Sequence, residues 1–205
     1  MVAMGSSSMV YSINQKVITL EEYGFVKFQE ELRRLGESTN PGDKRNLDWF
    51  EELPFTFMFY EEWFFLFDED KPVAFAAVQD FGDNQYRLLT RTYIYRDYRR
   101  IFNPKKDHFE SPTMRILPYQ LKHIGNYKSA FVSMQSLSRR PAIERFAYKM
   151  KYRTGKDWTL APNMMLTTEQ DWGKDCWQSI IYNGERPNLP EMTIEEWKAK
   201  WQKSV

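Results

Sequence analysis

Trp63-Phe64-Phe65-Leu66-Phe67-Asp68-Glu69-Asp70-Lys71-Pro72-Val73-Ala74-Phe75-Ala76-Ala77-Val78-Gln79 is the stretch that decides the fold. Two apolar runs, each of strand length, flank four consecutive charged residues. Runs this short, rich in aromatic and β-branched side chains and separated by a polar turn, predict a β-hairpin. Downstream, Phe81-Gly82-Asp83-Asn84 turns the chain again, and 85–95 predicts a third strand. Three short strands joined by tight turns make an antiparallel meander.

Upstream of the hairpin the period changes. Thr19 followed by Glu22 is a capping box, and Phe25, Phe28, Leu32 and Leu35 recur at three- and four-residue steps. This predicts an amphipathic helix, weakened by Gly24 inside the pattern and stopped at Gly36. Asn40-Pro41-Gly42-Asp43 marks a turn. A second helix is expected over 44–53, with Leu47, Trp49 and Phe50 inward and Pro54 ending it.

The second half alternates. Ser111-Pro112 opens a helix carrying Met114, Ile116, Leu117 and Leu121, with Pro118 inside it. A buried strand follows over 127–135, centred on Ala130, Phe131 and Val132. Ser138 can cap the next helix, opened by Pro141 and carrying Ala142, Ile143, Phe146, Ala147 and Met150. One strand is expected over 158–167 and a helix over 172–182. A last helix starts at the Thr193/Glu196 capping box and places Trp197 one turn from Trp201. The expected fold class is therefore α/β with an α+β mixed sheet, an antiparallel first half and a βαβ second half. The expected organisation is a flexible tail over 1–14, one domain over 15–167, and a helical, Trp-rich C-terminal extension over 168–205 packed on it.

Bulk properties exclude several classes. The chain has 205 residues, enough for one domain, with 42% hydrophobic and 17% aromatic residues. A net charge of +1 gives no global attraction for nucleic acid or an acidic membrane. The single cysteine, Cys176, excludes an internal disulfide framework and a cysteine-based zinc site, which points to a reducing, cytoplasmic setting. No apolar run reaches membrane-spanning length, since Glu61 and Glu62 interrupt the nearest, over 55–67. The first ten residues lack a signal peptide's apolar core. His108 and His123 have no partners at metal-ligand spacing, so no metal site is expected.

Two segments resemble the GNAT N-acetyltransferase superfamily. Tyr93-Ile94-Tyr95-Arg96-Asp97-Tyr98-Arg99-Arg100 is similar to the end of the family's fourth strand and the start of its acetyl-CoA loop. Arg139-Arg140-Pro141-Ala142-Ile143-Glu144-Arg145-Phe146-Ala147-Tyr148-Lys149-Met150 is similar to the helix after its fifth strand. The 63–78 hairpin looks like the second and third strands. The resemblance implies a GNAT-like fold whose fourth and fifth strands splay apart, so that the pantetheine arm of acetyl-CoA lies between them like an added strand. The strand edge for that arm would fall at Tyr93, Ile94 and Tyr95. The pyrophosphate would lie near Arg99 and Arg100, or at the helix start around Ser111 and Thr113.

The chain departs from the family pattern in two places. The usual glycine-rich loop is absent: no glycine occurs between Gly82 and Gly125. Arg99, Arg100, Lys105 and Lys106 either replace it with side-chain charge or form a solvated loop. The family's acidic tyrosine position falls on Phe146, which has no proton to give. Tyr148 is the nearest phenol and serves as the catalytic candidate only in a shifted register. Asp80, Asp83 and Asp97 are the carboxylates nearest the third strand, and each also reads as a turn residue.

The leading expectation is an N-acyltransferase that moves an acetyl group from acetyl-CoA to a small-molecule or peptide amine by direct attack. One alternative is a GNAT-fold binding or assembly module that has lost transfer. Another is single-strand nucleic-acid binding through Arg91, Tyr93, Tyr95, Arg96, Tyr98, Arg99 and Arg100, disfavoured because alternate strand residues face opposite sides.

Overall fold

The computed structural model describes residues 15–37, 60–80, 86–99, 111–133, 140–169 and 174–202. The expected helix over 44–53, the N-terminal tail, and Asp83, Arg100, Lys105, Lys106, His108 and Ser138 lie outside them.

The hairpin forms as its sequence dictates. Strands β2 (Tyr60–Asp68) and β3 (Lys71–Asp80) pair antiparallel around Glu69 and Asp70. The third strand, β4 (Tyr86–Ile94), adds antiparallel to β3. An unforeseen strand, β1 (Gln15–Thr19), closes the other edge of β2.

Alternation along β2 sorts its side chains into two cores. Phe64 and Leu66 face one side with Val73, Ala74, Ala76, Val78 and Leu89. Trp63, Phe65 and Phe67 face the other with Phe75, Ala77, Tyr93 and Tyr95. A period of two on a sheet covered on both faces produces this division.

The capping box forms: the Thr19 N–H donates to Glu22 Oε2 at 2.7 Å. The helix it opens is only α1 (Leu20–Tyr23), because Gly24 takes φ +96° and redirects the chain into α2 (Phe25–Gly36). Glycine reaches that conformation without a Cβ penalty. The one expected helix is therefore two. Phe28, Leu32 and Leu35 are buried, whereas Phe25, at the break, is 42% exposed. Phe28 lies edge-on to Trp63, Phe65 and Phe75, with ring centroids 5.0, 4.7 and 5.2 Å away.

After β4 comes a short helix α3 (Arg96–Arg99), then α4 (Pro112–Ile124), which runs through Pro118 and is capped by Ser111, whose Oγ accepts from the Met114 N–H at 3.2 Å. Met114, Ile116, Leu117 and Ile124 fill the face of the sheet opposite α2. Strand β5 (Lys128–Ser133) lies parallel to β4, and α5 (Arg140–Thr154) follows with Ile143, Ala147 and Met150 buried.

Two expectations for the C-terminal part are corrected. The strand expected over 158–167 is two, β6 (Trp158–Leu160) and β7 (Met164–Glu169), separated at Pro162, which cannot donate to a ladder. The helix expected over 172–182 is a strand, β8 (Lys174–Asn183). Ile180, Ile181 and Tyr182 there are all buried, a β-branched and aromatic run that fits a central strand. One edge of β8 pairs with β5, and the other takes β6 and β7 end to end. The short β9 (Glu191–Met192) adds to β7, and α6 (Ile194–Gln202) starts at the expected Thr193/Glu196 box. The Trp201 side chain lies outside the described residues.

Among the described residues the sheet order is β1-β2-β3-β4-β5-β8-β7-β9, with β6 paired to β8. Its one parallel pair is β4–β5. This is the mixed α/β sheet expected from the sequence, with a parallel step between two antiparallel halves.

Phe28→Ala should remove about 3–5 kcal/mol of stability in a denaturant titration, the usual loss for a fully buried phenylalanine. A loss below about 1 kcal/mol would mean that α2 does not seal this face.

Candidate functional site

The β4–β5 register holds four residue pairs, from Tyr86↔Lys128 to Leu89↔Phe131. There it stops, although β4 runs on to Ile94 and β5 to Ser133. Beyond that pair β4 has five further residues and β5 two, while each strand keeps its outer neighbour: β4 pairs with β3 as far as Ile94↔Ala74, and β5 with β8 as far as Ser133↔Ser179. This unpaired end of the β4–β5 junction, in the middle of the sheet, is the candidate wedge.

Parallel strands joined through a helix require that helix to run back against them. The start of α4, at Ser111, Pro112 and Thr113, therefore lies at the end where β4 and β5 part. The same holds for α5, which leaves the C-terminal side of β5. Its first residue, Arg140, is tied across the sheet: the guanidinium donates to Ser179 Oγ at 3.0 Å, to the Ala161 carbonyl at 2.7 Å and to the Pro162 carbonyl at 3.2 Å. Burial pushes its pKa down.

A bulge marks the place on β4 where the strands separate. The β3–β4 register shifts between Ala77↔Thr90 and Phe75↔Tyr93, and Arg91 takes φ +54°. A non-glycine residue in this region carries about 1–3 kcal/mol of strain and persists where its surroundings hold it. Arg91 Nε donates to Tyr60 Oη at 2.5 Å, which turns the side chain towards β2.

The candidate residues divide. Tyr93 and Tyr95 point their rings away from the opening, into the aromatic core; Tyr93 stacks on Phe75 at 5.2 Å and meets Tyr95 edge-on at 5.3 Å. Only their backbone can contribute to the wedge. The Tyr95 N–H donates to the Val73 carbonyl at 3.0 Å, which directs it to β3. Ile94 packs against the opposite core. Ser111 caps α4, and Thr113 is half-buried in its first turn. Arg99 ends α3; its side chain, like all of Arg100, lies outside the described residues. Tyr148 stands 68% exposed on the face of α5 away from Ile143, Ala147 and Met150, so the chain does not bring it to the sheet. Phe146 packs on the core instead. Buried Tyr93 and Tyr95 also offer no stacking platform for bases.

Beside the end of β4 is a carboxylate the sequence reading passed over. Glu31 accepts from Arg34 Nη2 at 2.6 Å and from the Tyr95 phenol, and burial followed by the Glu31 charge raises the Tyr95 pKa strongly. The Glu31/Arg34 spacing is legible as a helix pair, but its tie to Tyr95 depends on the tertiary fold. No sequence signal marks the Arg91 bulge, since Thr90-Arg91-Thr92 reads as plain strand. Among the described residues no group of His, Cys, Asp and Glu is arranged to hold a metal, and no helix is long and apolar enough to cross a membrane.

No protein-family model matches the chain, and no curated protein sequence does. Solved structures are similar in arrangement. An acyl-CoA N-acyltransferase from Pseudomonas aeruginosa is 6% identical, with 84% of this chain and 100% of that one covered and a TM-score of 0.47. A GNAT-family acetyltransferase from Staphylococcus aureus is 12% identical, with coverages of 82% and 98% and a TM-score of 0.45. A protein from Salmonella typhimurium solved with its cofactor acetyl-CoA is 10% identical, with coverages of 85% and 98% and a TM-score of 0.44. The wedge itself is defined by the strand register, not by these likenesses.

The raised Tyr95 pKa has a signed consequence. A phenol whose folded pKa exceeds its unfolded value of about 10 contributes stability that is complete below pH 10 and is lost as pH rises above it. Denaturant titrations between pH 8 and 11, values set by that reference pKa of about 10, should show a steeper loss in the native chain than in Tyr95→Phe. Parallel curves would remove Tyr95 as a buried donor.

Proposed function

We propose that this chain is an acyl-CoA-dependent N-acyltransferase that holds the carrier in the wedge between β4 and β5. The observation that supports this most directly is the parallel register that stops at Leu89↔Phe131 while both strands continue. A pantetheine arm is a narrow, extended chain with alternating amide donors and acceptors, and such a chain fits between parted strands as a peptide does in strand addition.

The residues at the open end suit the rest of the carrier. Pro112 has no N–H and the Met114 N–H is taken by Ser111 Oγ, so Thr113 presents the backbone donor of that first turn. In this reading Arg99 and Arg100, with Lys105 and Lys106, supply the charge that glycine-rich loops supply with backbone. The bound carrier would bring a thioester-activated acyl group. The acceptor is a primary amine, of a small molecule or a peptide, which must arrive neutral to react. Arg91, at φ +54° in the bulge, stands just beyond the last β4–β5 pair.

A second reading is favoured by the exposed Tyr148 and the packed Phe146: a binding module that holds an acyl-CoA without transferring from it.

Titration with acetyl-CoA separates these readings. Millimolar ligand should raise the melting temperature by several degrees, and Arg99→Ala with Arg100→Ala should weaken binding by about tenfold, as for loss of charged phosphate contacts. Release of free thiol in the presence of an amine panel supports transfer; binding without release selects the module. No thermal shift at all contradicts both. If transfer occurs, Tyr148→Phe should leave its rate within about twofold, because the phenol is in solvent and not at the wedge. A loss above about a hundredfold would restore Tyr148 as the proton donor.

A further inference from the structure

The closed end of the wedge is built around one buried cation. Arg87 is 7% exposed and sits within the four-pair register, opposite Ser129. Its Nε lies 2.6 Å from Glu61 Oε1 on β2, and its Nη1 lies 3.5 Å from Asp80 Oδ1 on β3 and donates to the Tyr86 carbonyl at 3.1 Å. The fourth side is closed by the ring of Tyr127, whose centroid is 3.8 Å from the guanidinium carbon. Tyr127 is the residue before β5, and its N–H donates to the Ile124 carbonyl at the end of α4. His123 Nε2, 3.8 Å from the other oxygen of Glu61, completes the group.

These contacts form a pivot. Arg87 is tied by two carboxylates to β2 and β3, strands that do not neighbour β5 in the sheet order of the described residues. The Tyr127 ring joins this cluster to the segment entering β5. On its far side β5 is held to β8 and the loop after it: Asn183 Oδ1 accepts from the Ser129 N–H at 3.1 Å, and Lys128 pairs with Glu185 at 2.5 Å. The start of β5 is thus clamped from both sides, while beyond Phe131 nothing in the β4 register constrains it. With so short a paired segment, the separation of the two strand ends depends on how firmly the pairs are seated.

We propose that Tyr127, stacked on Arg87, is a positioning residue for the wedge: it sets the spacing of the β4 and β5 ends and so the affinity for an acyl-CoA. This rests on the carrier site proposed above. Tyr127 stands at the paired end of the ladder, opposite the end proposed for the carrier, and takes no part in chemistry; its effect passes through Arg87 and the seating of Lys128 and Ser129. The ring is 47% exposed, so its replacement leaves the core intact.

The test compares Tyr127→Phe, which keeps the ring face, with Tyr127→Leu, which keeps bulk and loses it. The leucine variant should raise the Kd for acetyl-CoA about fivefold, the size of one cation–π contact, with kcat unchanged wherever transfer is measurable. The phenylalanine variant should match the native protein. Equal affinity in all three overturns the proposal, and so does an equal loss in both variants. Hydrogen exchange supplies a reading that needs no ligand. In Tyr127→Leu the amides of Ser129, Ala130 and Phe131 should exchange about tenfold faster, while those of the β2–β3 ladder keep their rates. If the native protein binds no acetyl-CoA, the carrier reading fails and this exchange result alone decides the pivot. Unchanged exchange at β5 overturns it.

Discussion

Four pairs of a parallel ladder, Tyr86 to Leu89 with Lys128 to Phe131, carry the organisation of this molecule. They are the join between an antiparallel half built from β1 to β4 and a second half built from β5 to β9. A parallel join needs a crossover, and α4 is that crossover. Because the join is short and lies at one end of both strands, the other ends are free to diverge. The wedge follows from where the ladder stops.

The sheet around it is seated by different chemistry on its two faces. Under α2 the core is aromatic, with Phe28, Trp63, Phe65, Phe75, Tyr93 and Tyr95 in edge and stacked contacts. Under α4 and α5 it is mainly aliphatic, from Val73, Ala76 and Leu89 through Ile116, Leu117 and Met150. The alanines of β3 admit the helix closely, and Gln120 reaches in to donate to the Ala77 carbonyl at 2.9 Å. Rings pack in few orientations and lock β4 against β3. That lock lets β4 keep its bulge at Arg91 and continue without a partner strand in β5.

Much of this arrangement was legible. The 63–79 hairpin, the strand after it and the helices at Ser111 and Pro141 follow from period, turn chemistry and caps, all local signals. The misreadings were tertiary. Ile180, Ile181 and Tyr182 read as part of a helix because an isolated window does not reveal that β8 has strands on both edges. Gly24 reads in sequence as a weak point of one helix, while its positive φ makes it a junction between two. For the site, the sequence located the end of β4 but not which way its side chains face. The sequence groups Tyr93 and Tyr95 with Ile94, whereas alternation sends their rings to the opposite core. Arg87 and Tyr127 are forty residues apart and carry no motif, so only the folded sheet brings them together.

Amide hydrogen exchange with and without acetyl-CoA probes the proposed acyl-CoA site in the wedge most directly. The ligand should slow exchange in the β4 segment from Thr90 to Ile94 and in the first turn of α4 at Thr113, and leave β7, β9 and α6 unchanged. Protection confined to those C-terminal elements, with none along β4, would contradict it.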